Sequence, residues 1–241
     1  MSANSTISHE IANLLRDEIL RSQYRRGERL PSERDLAARF DASRGAVREA
    51  LSQLEQLGLI RILPGGARIQ AIDAASIAIL GPLMAVNDLP DPLLVDQFLQ
   101  TFGVLTALTA RTAINKASNE EMQDLQGMVE RLGMHAGDFE AMQTQWREFL
   151  EYLATVADNL VVRLIGNDLK AQFVEQMMSL GINPVMKPAT INKLLNSLKL
   201  SLASKDAEMA AVTFQMHFDE LRIAVSEAIS LKQGSYRNQA V

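Results

Sequence analysis

The stretch PSERDLAARF at residues 31–40, followed by SRGAVREAL at residues 43–51, decides the fold of the N-terminal part of this chain. It predicts two helices joined by a tight turn. Arg44 and Arg48 then lie one turn apart on one side of the second helix, because residues four apart share a helical face. Two guanidinium groups placed in this way can reach phosphates and guanine edges in the major groove of DNA. The stretch therefore predicts a helix-turn-helix that reads DNA.

The flanking residues complete a small winged-helix domain. Leucine and isoleucine recur with helical spacing over residues 9–22, which predicts a first helix upstream. Downstream, two β-prone runs at residues 59–63 and 67–71 flank a Pro-Gly-Gly turn and predict a hairpin. We therefore expect residues 1–72 to form a winged helix-turn-helix domain.

The pattern changes after this domain. Residues 73–90 contain Gly-Pro and Leu-Pro breaks, which predict a connecting segment. Over residues 91–232 apolar side chains recur every three or four positions, which predicts an all-helical domain. Residues 233–241 are polar, and we expect them to be a disordered tail. The predicted fold class is mainly α: an N-terminal winged helix-turn-helix with a small β-hairpin wing, plus an all-α C-terminal bundle.

Composition narrows the functions that this chain can have. The net charge of −5 argues against a protein that binds polyanions nonspecifically. The chain has no cysteine, which excludes disulfides and thiolate catalysis. Residues 1–75 hold 11 arginines and no lysine against 10 acidic residues. Arginine suits bidentate contact with phosphate and guanine, although a bias in genomic base composition would give the same excess. We find no signal peptide and no uninterrupted apolar run of membrane-spanning length, so we expect a cytoplasmic protein without membrane contact.

Four segments of the N-terminal part, at fixed spacings from one another, resemble a known protein family. The segments GERLPSERDLA at residues 27–37, SRGAVREAL at 43–51, LEQLGLI at 54–60 and PGG at 64–66 closely resemble the GntR family of bacterial transcriptional regulators. The resemblance covers residues 8–71, and the helical remainder is similar to the FadR-type effector domain. It implies a homodimeric, effector-responsive regulator that binds a short palindromic operator in double-stranded DNA.

The same resemblance implies DNA contacts for Arg34, Ser43, Arg44, Arg48 and Gly65. The arginines would bind phosphate and guanine edges, and the serine would bind phosphate through its hydroxyl and backbone N–H. The glycine would let the backbone of the wing approach the minor groove. The alternative is that the arginines are solvated surface charges. Arg44 and Arg48 would then pair with Glu49 or Asp41, and Arg34 would pair with Glu33 or Asp35. For Arg61 and Arg68, on the wing, both interpretations stay open.

The effector domain is harder to interpret. Many similar domains bind a divalent metal through one acid and three histidines. By ungapped alignment those positions are Trp146, Leu150, Leu195 and His217, so we expect no metal and no cofactor. His217 is expected to be a hydrogen-bonded core histidine. A metal-free bundle resembles the branch of the family that responds to acyl-CoA, and its apolar cavity would be lined by Trp146, Leu150, Met177, Phe214 and His217.

Several alternatives remain open at this point. The effector could be a fatty acyl-CoA or another apolar acid, it could be a small carboxylate metabolite, or the effector site could be lost. An enzyme is not expected, because no Ser/His/Asp set, phosphate-binding glycine loop or zinc-protease motif is found. A third class of protein is a helical scaffold whose DNA-binding domain no longer binds an operator. Such a protein would show no salt-dependent operator affinity.

Overall fold

The chain divides into two compact units, Met1–Pro90 and Asp91–Val241. The structure is a computed structural model that describes the backbone of residues 3–134, 139–179, 182 and 186–239. Side chains are described for residues 6–134, 142–169, 182 and 186–233.

The first unit begins with three helices. They are α1 (Ala3–Leu20), α2 (Glu33–Arg39) and α3 (Arg44–Gln56). Apolar positions spaced by three and four turn one side of each helix inward, so that Leu15, Leu36 and Leu54 are fully buried in one cluster. The helix-turn-helix predicted from residues 31–51 is confirmed.

A two-stranded wing follows the third helix. Strand β1 (Ile60–Leu63) pairs antiparallel with β2 (Gly66–Ile69), with Ile60 opposite Ile69. The turn requires glycine because Gly65 and Gly66 have φ values of +103° and +123°, which residues with a Cβ rarely adopt. The predicted hairpin is therefore present, and the unit is a winged helix.

The segment predicted as a connection packs onto this winged helix. Residues 73–90 contain short 3₁₀ turns and helix α4 (Leu80–Ala85). Ile79 and Val86 are buried in the same apolar cluster as the three helices. The predicted connecting segment thus also contributes to the core of the first unit, because burying these apolar side chains stabilises it against the domain despite its Gly-Pro and Leu-Pro breaks.

All regular secondary structure in the described part of the second unit is helical. It contains α5 (Pro92–Lys116), α6 (Asn119–Met134), α7 (Phe139–Ala157), α8 (Leu160–Ser179), α9 (Pro188–Ala203) and α10 (Ala207–Gln239). Helices α5 and α10 pack closely at Gly103, where an added Cβ would lie 2.8 Å from Cβ of Phe218. Bidentate pairs from Arg111 to Glu208 and from Arg222 to Asp96 join the same two helices. The predicted all-α bundle is confirmed.

Two features of the long helices differ from simple expectations. Helix α10 continues to Gln239, so residues 233–239 are helical rather than a disordered tail. A single glycine such as Gly234 costs a helix only about 1 kcal/mol relative to alanine, so it does not end α10. Helix α5 is long and apolar enough to cross a membrane by length and composition. Its Val95 and Leu99 are nevertheless buried inside the bundle, as in the core helix of a globular protein.

Candidate nucleic-acid interface and effector core

The start of α3 is held by a side-chain cap. The backbone at Ser43 is extended, and its hydroxyl oxygen accepts a hydrogen bond from the N–H of Ala46 at 3.1 Å. The preceding corner turns at Asp41, whose φ is +47°. This geometry leaves free N–H groups at the helix N-terminus, which are the groups that bind phosphate in other proteins. The phosphate contact of Ser43 itself stays a prediction.

Arg44 and Arg48 are exposed on α3, whereas Ala46, Val47 and Ala50 of the same helix are buried. Nε of Arg48 donates to Oε2 of Glu33 at 2.7 Å, and 70% of the Arg48 side chain remains exposed. Among the described residues Arg44 has no ion-pair partner. The suggested pairing of these arginines with Glu49 or Asp41 does not occur in this structure.

Sequence reasoning missed Glu33 as a partner of Arg48. Its carboxylate engages the Nε edge of the guanidinium, and this leaves the two terminal nitrogens for another acceptor. An exposed pair of this kind contributes little to stability, so its effect is to orient the side chain. The two residues are 15 positions apart in different helices. No periodicity in the sequence links them.

Arg34 lies on α2, and 79% of its side chain is exposed. Its Nε is 3.7 Å from Oδ1 of Asp35, which is a weak, solvent-screened contact. Asp35 is held mainly by Ser32, whose hydroxyl donates to Oδ2 at 2.6 Å and lowers the pKa of this carboxyl. Ser32 also caps α2 by accepting from the N–H of Asp35. Arg34 is thus available for a phosphate.

Gly65 lies at the tip of the wing. A Cβ built at this position would meet no atom within 4 Å, so the backbone of the tip is open on that side. This accessibility fits the predicted approach of the wing to a minor groove. The contact itself stays a prediction, as do those of the four other proposed DNA-binding residues.

The predicted effector-cavity residues are brought together only in part. In the second unit the Trp146 ring of α7 lies 5.0 Å from the imidazole of His217 and 5.9 Å from the Phe214 ring of α10, between ring centroids. Leu150 lies one turn beyond Trp146 and lines a neighbouring cavity. The side chain of Met177 lies outside the described residues.

His217 differs from the sequence expectation. Its Nδ1 atom is buried and has no hydrogen-bond partner among the residues that the structure describes, so the predicted hydrogen-bonded core histidine was wrong for this nitrogen. Burial lowers the pKa of His217 from 6.5 to about 4, so the imidazole is neutral at pH 7. Phe218 approaches the same ring edge-on, at 5.4 Å between centroids. An unpaired buried nitrogen costs free energy unless a ligand or water satisfies it.

The cavity next to Leu150 is small. Its volume is about 50 Å³, and its wall includes Phe102, Leu105, Leu153, Arg163 and Asn167. Arg163 donates from Nη2 to the carbonyl of Ala154 and lies at the exposed end of this wall. Within the described ranges, no group of three or more His, Asp or Glu side chains could hold a metal ion.

Comparison with known proteins places the first unit. The model of the bacterial regulatory proteins of the gntR family matches residues 7–68. The HTH-type transcriptional repressor NanR of Escherichia coli O127:H6 is 33% identical over 130 residues, which are 53% of this chain and 49% of NanR. NanR of Cronobacter sakazakii is 34% identical over 124 residues, covering 51% of this chain and 48% of that protein. The chain thus spans about half the length of these curated relatives.

A solved structure supports the fold of the whole chain. It is that of Lar, which controls the expression of the Listeria monocytogenes agr system, and it aligns with a TM-score of 0.54. The identity is 19%, over 94% of this chain and 98% of Lar, so the likeness concerns the fold alone. The resemblance seen in residues 8–71 is confirmed by the family match. The part of this chain formed by residues 7–68 belongs to the gntR family of bacterial regulatory proteins.

Proposed function

We propose that this chain is a DNA-binding transcriptional regulator that reads its operator with α3 and the wing. The observation that carries the proposal is the exposure of Arg44 and Arg48 on one face of α3, behind a serine-capped N-terminus. Two relatives are named as transcriptional repressors, a class that is not enzymatic. A regulator of this kind acts where the chromosome lies, in the bacterial cytoplasm, and needs no membrane contact.

The proposal can be tested without knowing the operator. The full chain is used to select binding duplexes from a randomised DNA library, and the enriched duplex is compared with a scrambled one in mobility-shift titrations. We expect preferential binding to the enriched duplex, and the affinity should fall steeply as salt rises. Failure to enrich any sequence, or equal affinity for both duplexes, would end the proposal.

A homodimer is the second part of the proposal. Leu160, Val161 and Leu164 share one side of α8 in the second unit, and their exposed fractions are 68%, 66% and 58%. Apolar side chains exposed together in this way mark association surfaces. A symmetric dimer would present two winged helices to the two halves of a palindrome.

Replacing Leu160 and Leu164 together by aspartate should separate the dimer. Two charges in an apolar interface are expected to raise the dimer Kd at least about 100-fold, which is roughly 3 kcal/mol. Sedimentation equilibrium measures this Kd. The matched control is Ile62→Asp, an exposed apolar side chain on the wing. A wild-type chain that is monomeric at micromolar concentration, or a double variant that remains dimeric, would contradict the dimer.

For the effector we propose a small organic acid. A ligand-binding pocket for a drug-sized molecule has a volume of about 300–1,000 Å³, whereas the cavity next to Leu150, where the sequence placed the effector, measures about 50 Å³. The acyl-CoA suggested by sequence would therefore need a much larger opening. The guanidinium of Arg163 lines this cavity and is suited to a carboxylate. Nδ1 of His217, which does not line it, is a second polar group without a hydrogen-bond partner among the described residues. Only a ligand that favours one conformation could change operator affinity.

Native mass spectrometry and thermal shift with a panel of acids test this effector. We expect a small acid to raise the Tm of wild type, because a ligand that binds only the folded state stabilises it. The shift should be reduced in His217→Phe. A co-purified acyl thioester would instead support the acyl-CoA alternative. If no acid and no thioester binds, the interpretation of a lost effector site would be favoured.

His217 also predicts a pH dependence of stability. Because its folded pKa of about 4 lies below the unfolded value of 6.5, its contribution is complete above pH 6.5 and is lost as the pH falls toward 4. The loss is roughly 3 kcal/mol at about 1.4 kcal/mol for each pKa unit. Urea denaturation between pH 7 and 4 should show this loss in wild type and in His9→Gln. In His217→Phe the curve should be flatter, and identical curves would contradict the assignment.

A further inference from the structure

Three arginines form a row across the wing. In the antiparallel register Arg61 lies directly opposite Arg68, and Arg29 forms a β-bridge to Arg68 from the other side. Residues that lie opposite each other in a sheet share a face. All three arginines are exposed, while Ile60 and Ala67 face the core. We call Arg29, Arg61 and Arg68 the arginine row.

The nearby acids do not neutralise this row. Glu55 accepts from the backbone N–H of Ile62 at 2.6 Å, and Glu28 accepts from the backbone N–H of Arg25 at 2.7 Å. Nη1 of Arg68 donates to the carbonyl of Gly27, which carries no charge. No ion pair involving the arginine row occurs among the described residues. Like charges placed directly opposite each other destabilise a sheet, so the row needs an external anion to balance it.

The wing backbone makes room for the row. A Cβ at Gly66 would lie 2.6 Å from Nε of Arg29, and the φ of Gly66 is +123°. Glycine therefore allows the guanidinium of Arg29 to lie against the turn of the wing. Leu30, the next residue, donates its N–H to the carbonyl of Ala67 at 2.9 Å and is buried. Arg29 is thus anchored by backbone pairing on a rigid sheet.

We propose that the arginine row gives the wing a phosphate-binding surface, which holds the sugar-phosphate backbone of the duplex without reading bases. This inference rests on the proposed DNA-binding function. Neighbouring strands are about 4.8 Å apart, so the row spans about 10 Å. Phosphates on one DNA strand follow at about 3.4 Å of axial rise, so the row can meet about two or three of them. Guanidinium groups bind phosphate oxygens in a bidentate manner.

The test compares Arg29→Gln/Arg61→Gln/Arg68→Gln with wild type in salt titrations. Each lost phosphate contact lowers the slope of log affinity against log salt by about 0.9, so we expect a decrease of about 2 to 3. Affinity should fall by a similar factor for the enriched and the scrambled duplex, which leaves their ratio unchanged. The matched control is Arg131→Gln/Arg147→Gln/Lys193→Gln, which removes three exposed positive charges from the second unit. It should leave the slope unchanged.

Two further variants keep the test decisive. Arg61→Gln alone should lower the slope by about 1, and replacing all three arginines by lysine should restore most of it, since phosphate contact needs the charge. An unchanged slope in the triple glutamine variant would overturn the arginine row while leaving the regulator proposal intact. A wild-type chain without any sequence preference would overturn the proposed function itself. The proposal for the arginine row would also fail if the triple glutamine variant lost its preference for the enriched duplex while its salt slope stayed unchanged. That result would mean that these arginines read bases.

Discussion

Replacing Arg44 and Arg48 together by alanine is expected to lower affinity for the enriched duplex by about 100- to 1,000-fold. Each guanidinium that contacts a base edge contributes about 1–3 kcal/mol of discrimination. Both side chains are exposed, and alanine is the best helix former, so α3 should remain folded. The loss should therefore concern DNA contact alone. Mobility shift measures affinity, and circular dichroism measures folding.

Two controls make this result specific. Arg131→Ala/Arg147→Ala removes the same charge from exposed positions in the second unit and should leave affinity nearly unchanged. Arg44→Lys/Arg48→Lys should keep part of the nonspecific affinity but lose preference for the enriched duplex, because an ammonium group lacks the planar fork that matches guanine. If the double alanine variant binds the enriched duplex as wild type does, α3 is not the reading helix.

Phe214→Ala is expected to lower the unfolding free energy of the second unit by about 3–5 kcal/mol. Phe214 is 1% exposed, and its ring stacks on Phe149 at 6.2 Å between centroids. Truncation removes this contact and the one to Trp146, and it leaves a cavity that the helices can fill only in part. Trp146 is the single tryptophan of the chain, so its fluorescence reports urea denaturation of this unit.

The matched control is Leu93→Ala, at a side chain that is 62% exposed on α5. It should change the unfolding free energy by less than about 0.5 kcal/mol. A loss below about 1 kcal/mol in Phe214→Ala would mean that the aromatic cluster is not a tightly packed core. Such loose packing would also reopen the acyl-CoA alternative, since the bundle could then expand around a long chain.

The winged helix could be predicted because its determinants are local. Ser32 and Ser43 cap the helices that begin at the following residues, and glycine is required at the turn of the wing. Each of these signals acts within about four residues along the chain, where backbone geometry depends on residue type. The packing of the segment after the wing could not be predicted, for a related reason. Its Gly-Pro and Leu-Pro breaks are local, whereas the burial of Ile79 and Val86 depends on distant helices.

The sequence by itself determined the helix-turn-helix, the wing and the helical character of the second unit. It also determined which arginines, Arg34, Arg44 and Arg48, are predicted to contact DNA. Only the tertiary structure decided that Glu33 orients Arg48 and that three arginines align across the wing. It also decided that Nδ1 of His217 is buried without a partner among the described residues. The physical reason is the distance along the chain over which each interaction acts. Caps, turns and periodicity follow from neighbours along the chain, whereas pairing, register and desolvation arise when residues far apart in sequence pack together.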